Sequence, residues 1–167
     1  MPKGHPSHTS AREAERAPRF RREDEFFIIV VGCGRLGSMI ANRLSRDGHH
    51  LTVVDNREAA FAALSPEYSG FRVEGDATAM ATLREADVGQ ADVVVVATES
   101  DNINLMVGQV AQKLFGVRRV IARVSEPERE SVFYELGLET ICPATLVSDE
   151  IVESLRRDRT LGRQQSL

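Results

Sequence analysis

The chain has 167 residues, of which 42% are hydrophobic and 28% are charged, a balance typical of one soluble globular domain with no room for a second large one. Its 21 basic and 25 acidic residues give a formal charge of -4, which disfavours protein classes that bind nucleic acid or anionic membranes through a basic surface. The cysteines, Cys33 and Cys142, lack a paired spacing and no apolar stretch reaches about 18 residues, so we expect a reduced cytoplasmic protein without disulfides or a transmembrane helix.

The N-terminal segment, residues 1–25, is rich in charged residues, Pro, Ser and His, and its one aromatic residue is Phe20. Such a composition buries too little apolar surface to offset the entropy of ordering, which predicts a disordered tail; a docking arm is the alternative. From residue 26 onward, short apolar runs are each followed by a segment with helical spacing. We therefore predict one folded domain over residues 26–158 and a C-terminal tail at residues 159–167.

Six apolar runs predict the β-strands. The first run is continuous and rich in β-branched residues, which is typical of a strand buried on both faces of a parallel sheet. The later runs are mostly shorter but have the same character. The six runs are Phe26 to Val31, Leu51 to Val54, Phe71 to Val73, Val93 to Ala97, Val120 to Val124 and Thr140 to Cys142.

Two segments between the strands carry apolar residues at helical spacing, and these stripes are predicted to face the sheet. A weaker stripe closes the chain after Pro143, which is well placed to start a helix. Alternating strands and helices predict a Rossmann-like, doubly wound α/β fold with about six parallel strands in the order 3-2-1-4-5-6. The stripes are Leu36, Ile40 and Leu44; Ile103, Val107, Val110 and Leu114; and Val147, Ile151 and Leu155.

A glycine motif lies between the first strand and the first helix. Gly32, Gly34 and Gly37 match G-x-G-x-x-G, the phosphate-binding fingerprint of dinucleotide-binding folds. Gly32 permits a tight turn, Gly34 lets the backbone approach a pyrophosphate, and Gly37 lets the helix pack closely against the sheet. The unpaired N–H groups at the helix start then meet the phosphate oxygens. The alternative is that the glycines only turn the chain.

An acidic residue follows the motif at the expected distance. Asp55 ends the second strand, about 20 residues beyond the loop, where its carboxylate can accept hydrogen bonds from a ribose diol. A 2′-phosphate would meet this negative charge, which disfavours NADP, although Arg57 lies nearby and keeps NADP open. The alternative role for Asp55 is a cap on the next helix.

Arg35 stands inside the glycine motif, near the positive end of the predicted helix. A cation gains nothing from the helix dipole at that end, so its placement indicates a nearby anion. The hypothesis is a phosphate contact within the subunit or across a dimer. A solvated surface arginine is the alternative.

Residues directly after the later strands are further candidates, because ligands of open α/β sheets bind outside the carboxyl ends of the strands. Asp76 and Ala77 are predicted to lie near an adenine, although Asp76 and Thr78 can also cap the next helix. Thr98 and Glu99 should lie beside the glycine loop, because strands one and four are neighbours in the predicted order.

Two more polar positions follow the fourth and fifth runs. Ser100 or Asp101 is predicted to be an N-cap rather than a ligand contact. Arg123 is a candidate for a phosphate or for a second subunit, with a surface ion pair as the alternative. No Ser/His/Asp, Cys/His or clustered carboxylate set indicates catalysis, and we predict neither a catalytic nor a metal site.

Several stretches taken together resemble the RCK/KTN N-terminal domain of TrkA- and KtrA-type proteins, the cytoplasmic regulatory subunits of potassium uptake systems. The resemblance covers about residues 26–155. The glycine loop and Asp55 alone would be generic, but their combination with the later stretches is specific. These stretches are Val30-Val31-Gly32-Cys33-Gly34-Arg35-Leu36-Gly37, Val53-Val54-Asp55, Gly75-Asp76-Ala77-Thr78, Ala97-Thr98 and Ile121-Ala122-Arg123-Val124.

The resemblance implies binding of NAD(H) or ATP/ADP, with residues 32–36 on the phosphates, Asp55 on the ribose, and Asp76 and Ala77 near the adenine. It also implies homo-oligomers, as dimers that assemble into a tetramer or octameric ring. The partner would be a membrane-embedded potassium transporter or channel, met at the inner face of the membrane. The full set of implied nucleotide-binding residues is Gly32, Cys33, Gly34, Arg35, Leu36, Gly37, Asp55, Asn56, Asp76, Ala77, Thr98, Glu99 and Arg123.

Relatives usually continue into a smaller C-terminal RCK domain, whereas this sequence ends at Leu167, so we do not expect sites of that domain here. The leading hypothesis is a non-enzymatic regulator that gates a potassium transporter or channel in response to the nucleotide. The alternatives are a small NAD-dependent oxidoreductase, a SAM-dependent enzyme, and a scaffold that binds nothing. The oxidoreductase is disfavoured because such enzymes usually carry a separate substrate domain.

Overall fold

The computed structural model describes residues 24–164, so the predicted disordered tail lies outside the described residues apart from Asp24 and Glu25. Six parallel strands form one sheet in the order β3-β2-β1-β4-β5-β6, which confirms the predicted doubly wound fold and its strand order. The strands are β1 (Phe27–Val31), β2 (His50–Asp55), β3 (Phe71–Glu74), β4 (Val93–Val96), β5 (Arg119–Arg123) and β6 (Glu139–Ile141).

The connections between strands are helical. Three of the described α-helices have 12 or more residues. The first two of these pack on opposite faces of the sheet, and the third ends the described chain, while short 3-10 segments lie in the other crossovers. Within the described residues the helices are α1 (Arg35–Arg46), α2 (Met80–Glu85), α3 (Asp101–Lys113), α4 (Glu130–Glu135) and α5 (Pro143–Gln164), and the 3-10 segments are Glu58–Ala63, Val88–Gln90 and Pro127–Arg129.

Strand β1 lies inside the sheet, paired in parallel with β2 on one side and with β4 on the other. Its side chains alternate between the two faces, because successive residues of a strand point in opposite directions. Ile29 and Val31 join the larger core cluster, whereas Ile28 and Val30 join the second. Both faces of β1 are therefore apolar, which explains why its sequence is a continuous hydrophobic run.

The side of helix α1 that packs on the sheet differs from the side that its apolar stripe predicts. The residues that it buries include Gly37 and Ala41, whereas Ile40 and Leu44 pack as partly buried residues at the margin of the second cluster. Leu36 is half-buried. The predicted contact face is thus displaced around the helix, because small residues let the helix backbone lie against the strands.

Helix α3 presents most of its predicted stripe to the larger core cluster. Val107 is fully buried, and Ile103 and Val110 pack against the cluster. The prediction is wrong for Leu114, which is 69% exposed because α3 ends at Lys113 and the chain turns away there.

Helix α5 begins at Pro143, as predicted. Its stripe of Val147, Ile151 and Leu155 is more than half exposed, with exposures of 59%, 57% and 61%. The helix runs on to Gln164, through residue 158, where we placed the end of the domain. Among the helices that the structure describes, none combines the length and the apolar character that a membrane span needs.

Candidate functional site

The glycine loop is a tight turn in which three elements meet. Gly32 has φ +97°, and its N–H donates to the carbonyl of Val54 at 2.7 Å. A Cβ at Gly32 would lie only 3.0 Å from the carbonyl carbon of Ala97 and from the nitrogen of Thr98. Both the positive φ and this close approach require glycine. The turn is therefore fixed at once by the ends of β1, β2 and β4.

The other two glycines of the motif differ in their surroundings. Gly34 is the N-cap of α1 in an extended conformation, without a side-chain cap, and a Cβ there would meet nothing within 4 Å. A Cβ at Gly37 would overlap the carbonyl oxygen of Gly32. Gly37 therefore sets how closely α1 packs on the loop, whereas Gly34 faces open space at the positive end of the helix.

The carboxylate of Asp55 stands beside the loop. Its Oδ2 accepts a hydrogen bond from the N–H of Cys33 at 2.8 Å, and its Oδ1 accepts one from the N–H of Arg57 at 3.0 Å. The side chain is only 10% exposed, and the Arg57 guanidinium lies 3.9 Å from Oδ1. The two backbone bonds orient the carboxylate at the edge of the cleft and leave lone pairs on both oxygens for further donors.

Cys33 contributes to the loop through its main chain only. Its thiol is 1% exposed and packs in the second core cluster. Burial, together with the nearby Asp55 carboxylate, raises the pKa of Cys33 to about 11. The thiol is therefore protonated at neutral pH and lies on the core side of the loop rather than in the cleft.

The turn after β3 holds Asp76 in place. Its Oδ1 accepts hydrogen bonds from the N–H of Thr78 at 2.8 Å and from the Thr78 hydroxyl at 2.7 Å. The N-cap of α2 is Ala79, without a side-chain cap, so the alternative that Asp76 and Thr78 cap this helix is wrong. The backbone and then the hydroxyl bond from Thr78 lower the pKa of the exposed Asp76 carboxyl below its usual value.

We expect Thr78→Val to raise the pKa of Asp76 part of the way back, because the hydroxyl bond is lost while the backbone bond remains. Since the pKa is lowered in the folded protein, the bonds to Asp76 favour folding above its unfolded pKa, and this contribution is lost as the pH falls through the folded value. A carboxyl-carbon NMR titration measures the shift. Thr145→Val, which removes a hydroxyl bond to Glu130, is the control and should leave Asp76 unchanged. An unchanged pKa of Asp76 in Thr78→Val would mean that the Thr78 hydroxyl does not donate to the Asp76 carboxylate.

The turn after β4 is held from behind by a residue that the sequence prediction missed. Asn104 is fully buried and bonds to both backbone groups and the hydroxyl of Thr98. Ser100 is the N-cap of α3, accepting from the N–H of Ile103 at 3.4 Å, as predicted. Asn104 lies three residues before the buried Val107, so a polar residue in an apolar helical stripe was the available signal.

Arg123 lies behind this turn rather than in the cleft. Its Nη1 donates to the carbonyl of Thr98 at 3.3 Å, and its own carbonyl accepts from Asn104 at 2.9 Å. Asp101 is buried and accepts from the N–H groups of Ser125 at 2.8 Å and Glu126 at 3.3 Å, which follow β5 in the chain. The first turns of α3 thus join the carboxyl ends of β4 and β5.

These turns enclose a cleft of about 280 Å³ at the carboxyl edge of the sheet, the place at which doubly wound folds bind ligands. The predicted residues Cys33, Arg35, Leu36, Gly37 and Arg123 do not line it. Arg35 is exposed on the first turn of α1. The predicted residues that do line it are Gly32, Gly34, Asp55, Asn56, Asp76, Ala77, Thr98 and Glu99.

The cleft has the chemistry of a site for a phosphorylated ribonucleoside. Backbone N–H groups and the positive end of α1 lie at the glycine loop, suited to phosphate. The Asp55 carboxylate lies beyond the loop, suited to a pair of hydroxyl groups. Asp76 and Ala77 lie further along the same edge, where a base would follow the ribose.

Comparison with known proteins adds a family and several relatives. The model of the TrkA-N domain family matches residues 28–143. The Trk system potassium uptake protein TrkA of Streptomyces coelicolor is 34% identical over 145 residues, which cover 82% of this chain and 65% of that protein. A TrkA homolog of Methanothermobacter thermautotrophicus is 34% identical over 115 residues, covering 69% of this chain and 53% of that protein. The chain thus spans between about half and two thirds of the length of these relatives.

Solved structures show the same architecture. The GsuK RCK domain superposes with a TM-score of 0.69 at 26% identity, covering 86% of this chain and 30% of that one. The GsuK channel bound to NAD gives a TM-score of 0.69 at 27% identity, covering 83% of this chain and 24% of that one. GsuK bound to ADP gives 0.67 at 28% identity, covering 81% and 35%. The matched stretch runs from β1 through β6, so it contains every strand of the sheet and the whole cleft, and the chain belongs to the TrkA-N domain family.

Proposed function

We propose that this domain binds an adenine nucleotide, NAD(H) or ATP/ADP, and that the bound nucleotide regulates a potassium transporter or channel. The observation that carries the proposal is the cleft itself, in which the glycine turn, the bare N-terminus of α1 and the Asp55 carboxylate open on one space. The TrkA relatives and the GsuK structures with NAD and ADP support the choice of ligand and of process.

In the proposed complex the phosphates lie between the Gly32 turn and Gly34, where the backbone N–H groups of the first turn of α1 and the helix dipole favour anions. The adenosine ribose donates its hydroxyl protons to Asp55, whose orientation is fixed before the ligand arrives. The adenine extends towards Asp76 and Ala77. NAD(H) and ATP/ADP share this adenylate part, so one cleft accommodates both. Arg35 is free on the surface of α1 to meet a phosphate from another subunit.

Regulation requires more than tight binding. A nucleotide shifts an equilibrium between two arrangements only through a difference in its affinity for them. We propose that the arrangements are those of a cytoplasmic homo-oligomer docked on its membrane partner, and that the domain itself performs no chemistry. In support, the cleft offers phosphate and ribose contacts rather than an acid-base pair set around a reacting atom.

The primary test is calorimetric titration of the full chain with NAD+, NADH, ATP, ADP and SAM, with light scattering to follow association. Micromolar binding of NADH or ATP, together with a change of assembly that differs between nucleotides, supports the proposal. Stronger binding of SAM than of any adenine nucleotide contradicts the ligand assignment. Equal assembly in every nucleotide contradicts the regulatory part.

We expect Asp55→Asn to weaken ADP binding about fivefold, because a charge-assisted hydrogen bond to the ribose becomes a neutral one, a loss of roughly 1 kcal/mol. The ribose origin of the loss is tested with 2′-deoxy-ADP. The wild type should discriminate between ADP and 2′-deoxy-ADP, and the variant should lose most of that discrimination. Asp47→Asn, an exposed carboxylate at the far end of α1, is the matched control. If Asp55→Asn discriminated between ADP and 2′-deoxy-ADP as strongly as wild type, Asp55 would not be the residue that binds the ribose.

A further inference from the structure

Asn104 lies directly behind the cleft without lining it. Its side chain is fully buried in α3. The Oδ1 atom accepts from the N–H of Thr98 at 3.0 Å and from the Thr98 hydroxyl at 2.6 Å. The Nδ2 atom donates to the carbonyl of Thr98 at 3.0 Å and to that of Arg123 at 2.9 Å. These four bonds use both donors and both acceptor sites of the amide, so the group can adopt no other orientation without losing a bond.

Thr98, the residue to which Asn104 is hydrogen-bonded, forms the back wall of the glycine turn. Thr98 lines the cleft, and its nitrogen lies 3.0 Å from the point that a Cβ of Gly32 would occupy. Because the N–H, carbonyl and hydroxyl of Thr98 are all engaged within the protein, Thr98 has no free hydrogen-bond donor for a ligand. Thr98 therefore affects the cleft through its position against Gly32 rather than through a hydrogen bond donated to the ligand.

We propose that Asn104 is a positioning residue for nucleotide phosphates: it holds the Thr98 peptide against Gly32, so that the glycine turn keeps the shape into which the phosphates fit. The inference rests on the proposed function, since it presumes a nucleotide in this cleft. Its consequence is selective. Loss of the amide should weaken the binding of phosphate-bearing ligands, while the ribose and adenine contacts at Asp55 and Asp76 are left intact.

The test compares ADP with adenosine on Asn104→Ala and Asn104→Asp. For Asn104→Ala we expect about fivefold weaker ADP binding and adenosine binding within about twofold of wild type, as for the loss of a modest hydrogen-bonding contribution. Asn104→Asp keeps an acceptor for the Thr98 N–H and hydroxyl but cannot donate to the carbonyls when ionised. Its ADP affinity should lie between that of Asn104→Ala and that of wild type. If Asn104→Ala does not fold, the ratio of ADP to adenosine affinity in Asn104→Asp decides.

Asn42 provides a matched control, because it is also an asparagine that bridges two backbone groups. Its Nδ2 donates to the carbonyl of Ala63 at 3.2 Å and its Oδ1 accepts from the N–H of Ser65 at 2.8 Å, outside the cleft. Asn42→Ala should lower the Tm without changing either affinity. If the Asn104 variants lower the Tm but bind both ligands like wild type, or lose both equally, Asn104 is only structural. If wild type binds NADH but not ADP, the same comparison is made between NADH and adenosine. If wild type binds none of NAD+, NADH, ATP and ADP, the proposed function fails and the inference with it.

Discussion

Replacing Gly37 with alanine is expected to lower the free energy of unfolding by about 3 kcal/mol and the Tm by roughly 10 °C. The added Cβ would overlap the carbonyl oxygen of Gly32, which is backbone and cannot rotate aside. Relief requires α1 to move away from the loop, which would withdraw Ala41 from the core. Thermal and urea unfolding of the variant and of wild type measure the loss.

Gly34→Ala is the matched control for this loss of stability, because it adds the same methyl group three residues earlier in the same motif. A Cβ at Gly34 meets nothing within 4 Å, and its φ of -71° suits any residue. A Gly37→Ala protein as stable as wild type would show that α1 does not pack on Gly32 as described.

The sequence predicted the sheet almost completely, because each strand is a short apolar run bounded by polar residues. The first run was predicted over Phe26 to Val31, and β1 is Phe27–Val31. The strand order was predicted from the alternation of strands with helices and from the number of strands. These local signals are strongest in β1 and β2, whose residues are buried except at the strand ends. The edge strands β3 and β6 are mostly exposed.

Helix faces were predicted less well, since hydrophobicity does not report how closely a helix approaches the sheet. On α1 the stripe of Ile40 and Leu44 indicated the buried side, but the closest contact is made by Gly37 and Ala41. Small residues lie closest because the helix backbone itself packs on the strands. The prediction that Leu114 is buried was wrong for a different reason. The helix ends before this residue, and periodicity alone does not locate a helix end.

Sequence reasoning placed residues at the cleft most successfully where the course of the backbone alone decides their position. Gly32, Gly34 and Asp55 line the cleft because the fold brings the carboxyl ends of β1 and β2 together. Arg123 does not line the cleft, because the direction of a long side chain depends on its neighbours, and here the guanidinium donates to the carbonyl of Thr98. Asn104 was missed since a buried amide has meaning only once its partners are known.

Gly34 and Gly37, the second and third glycines of the motif, have separable roles, and Gly34→Ala should reveal the binding role alone. We expect ADP affinity to fall at least tenfold, or about 1.4 kcal/mol, because the new methyl group would occupy the space in front of the α1 N-terminus where phosphate oxygens approach the backbone. The free energy of unfolding should change by less than about 1 kcal/mol, since the loss of a favourable N-cap glycine is offset by the reduced entropy of the unfolded chain.

Calorimetry with ADP and adenosine, and urea unfolding of the same preparations, separate these effects. The loss of affinity should be large for ADP and small for adenosine, since adenosine has no phosphate to bring near Gly34. Gly89→Ala, whose Cβ would make an ordinary contact of 3.4 Å with Phe115 away from the cleft, should bind both ligands like wild type. If Gly34→Ala binds ADP as tightly as wild type, the phosphates do not lie over the helix N-terminus. The glycine at this position would then serve the turn rather than the ligand.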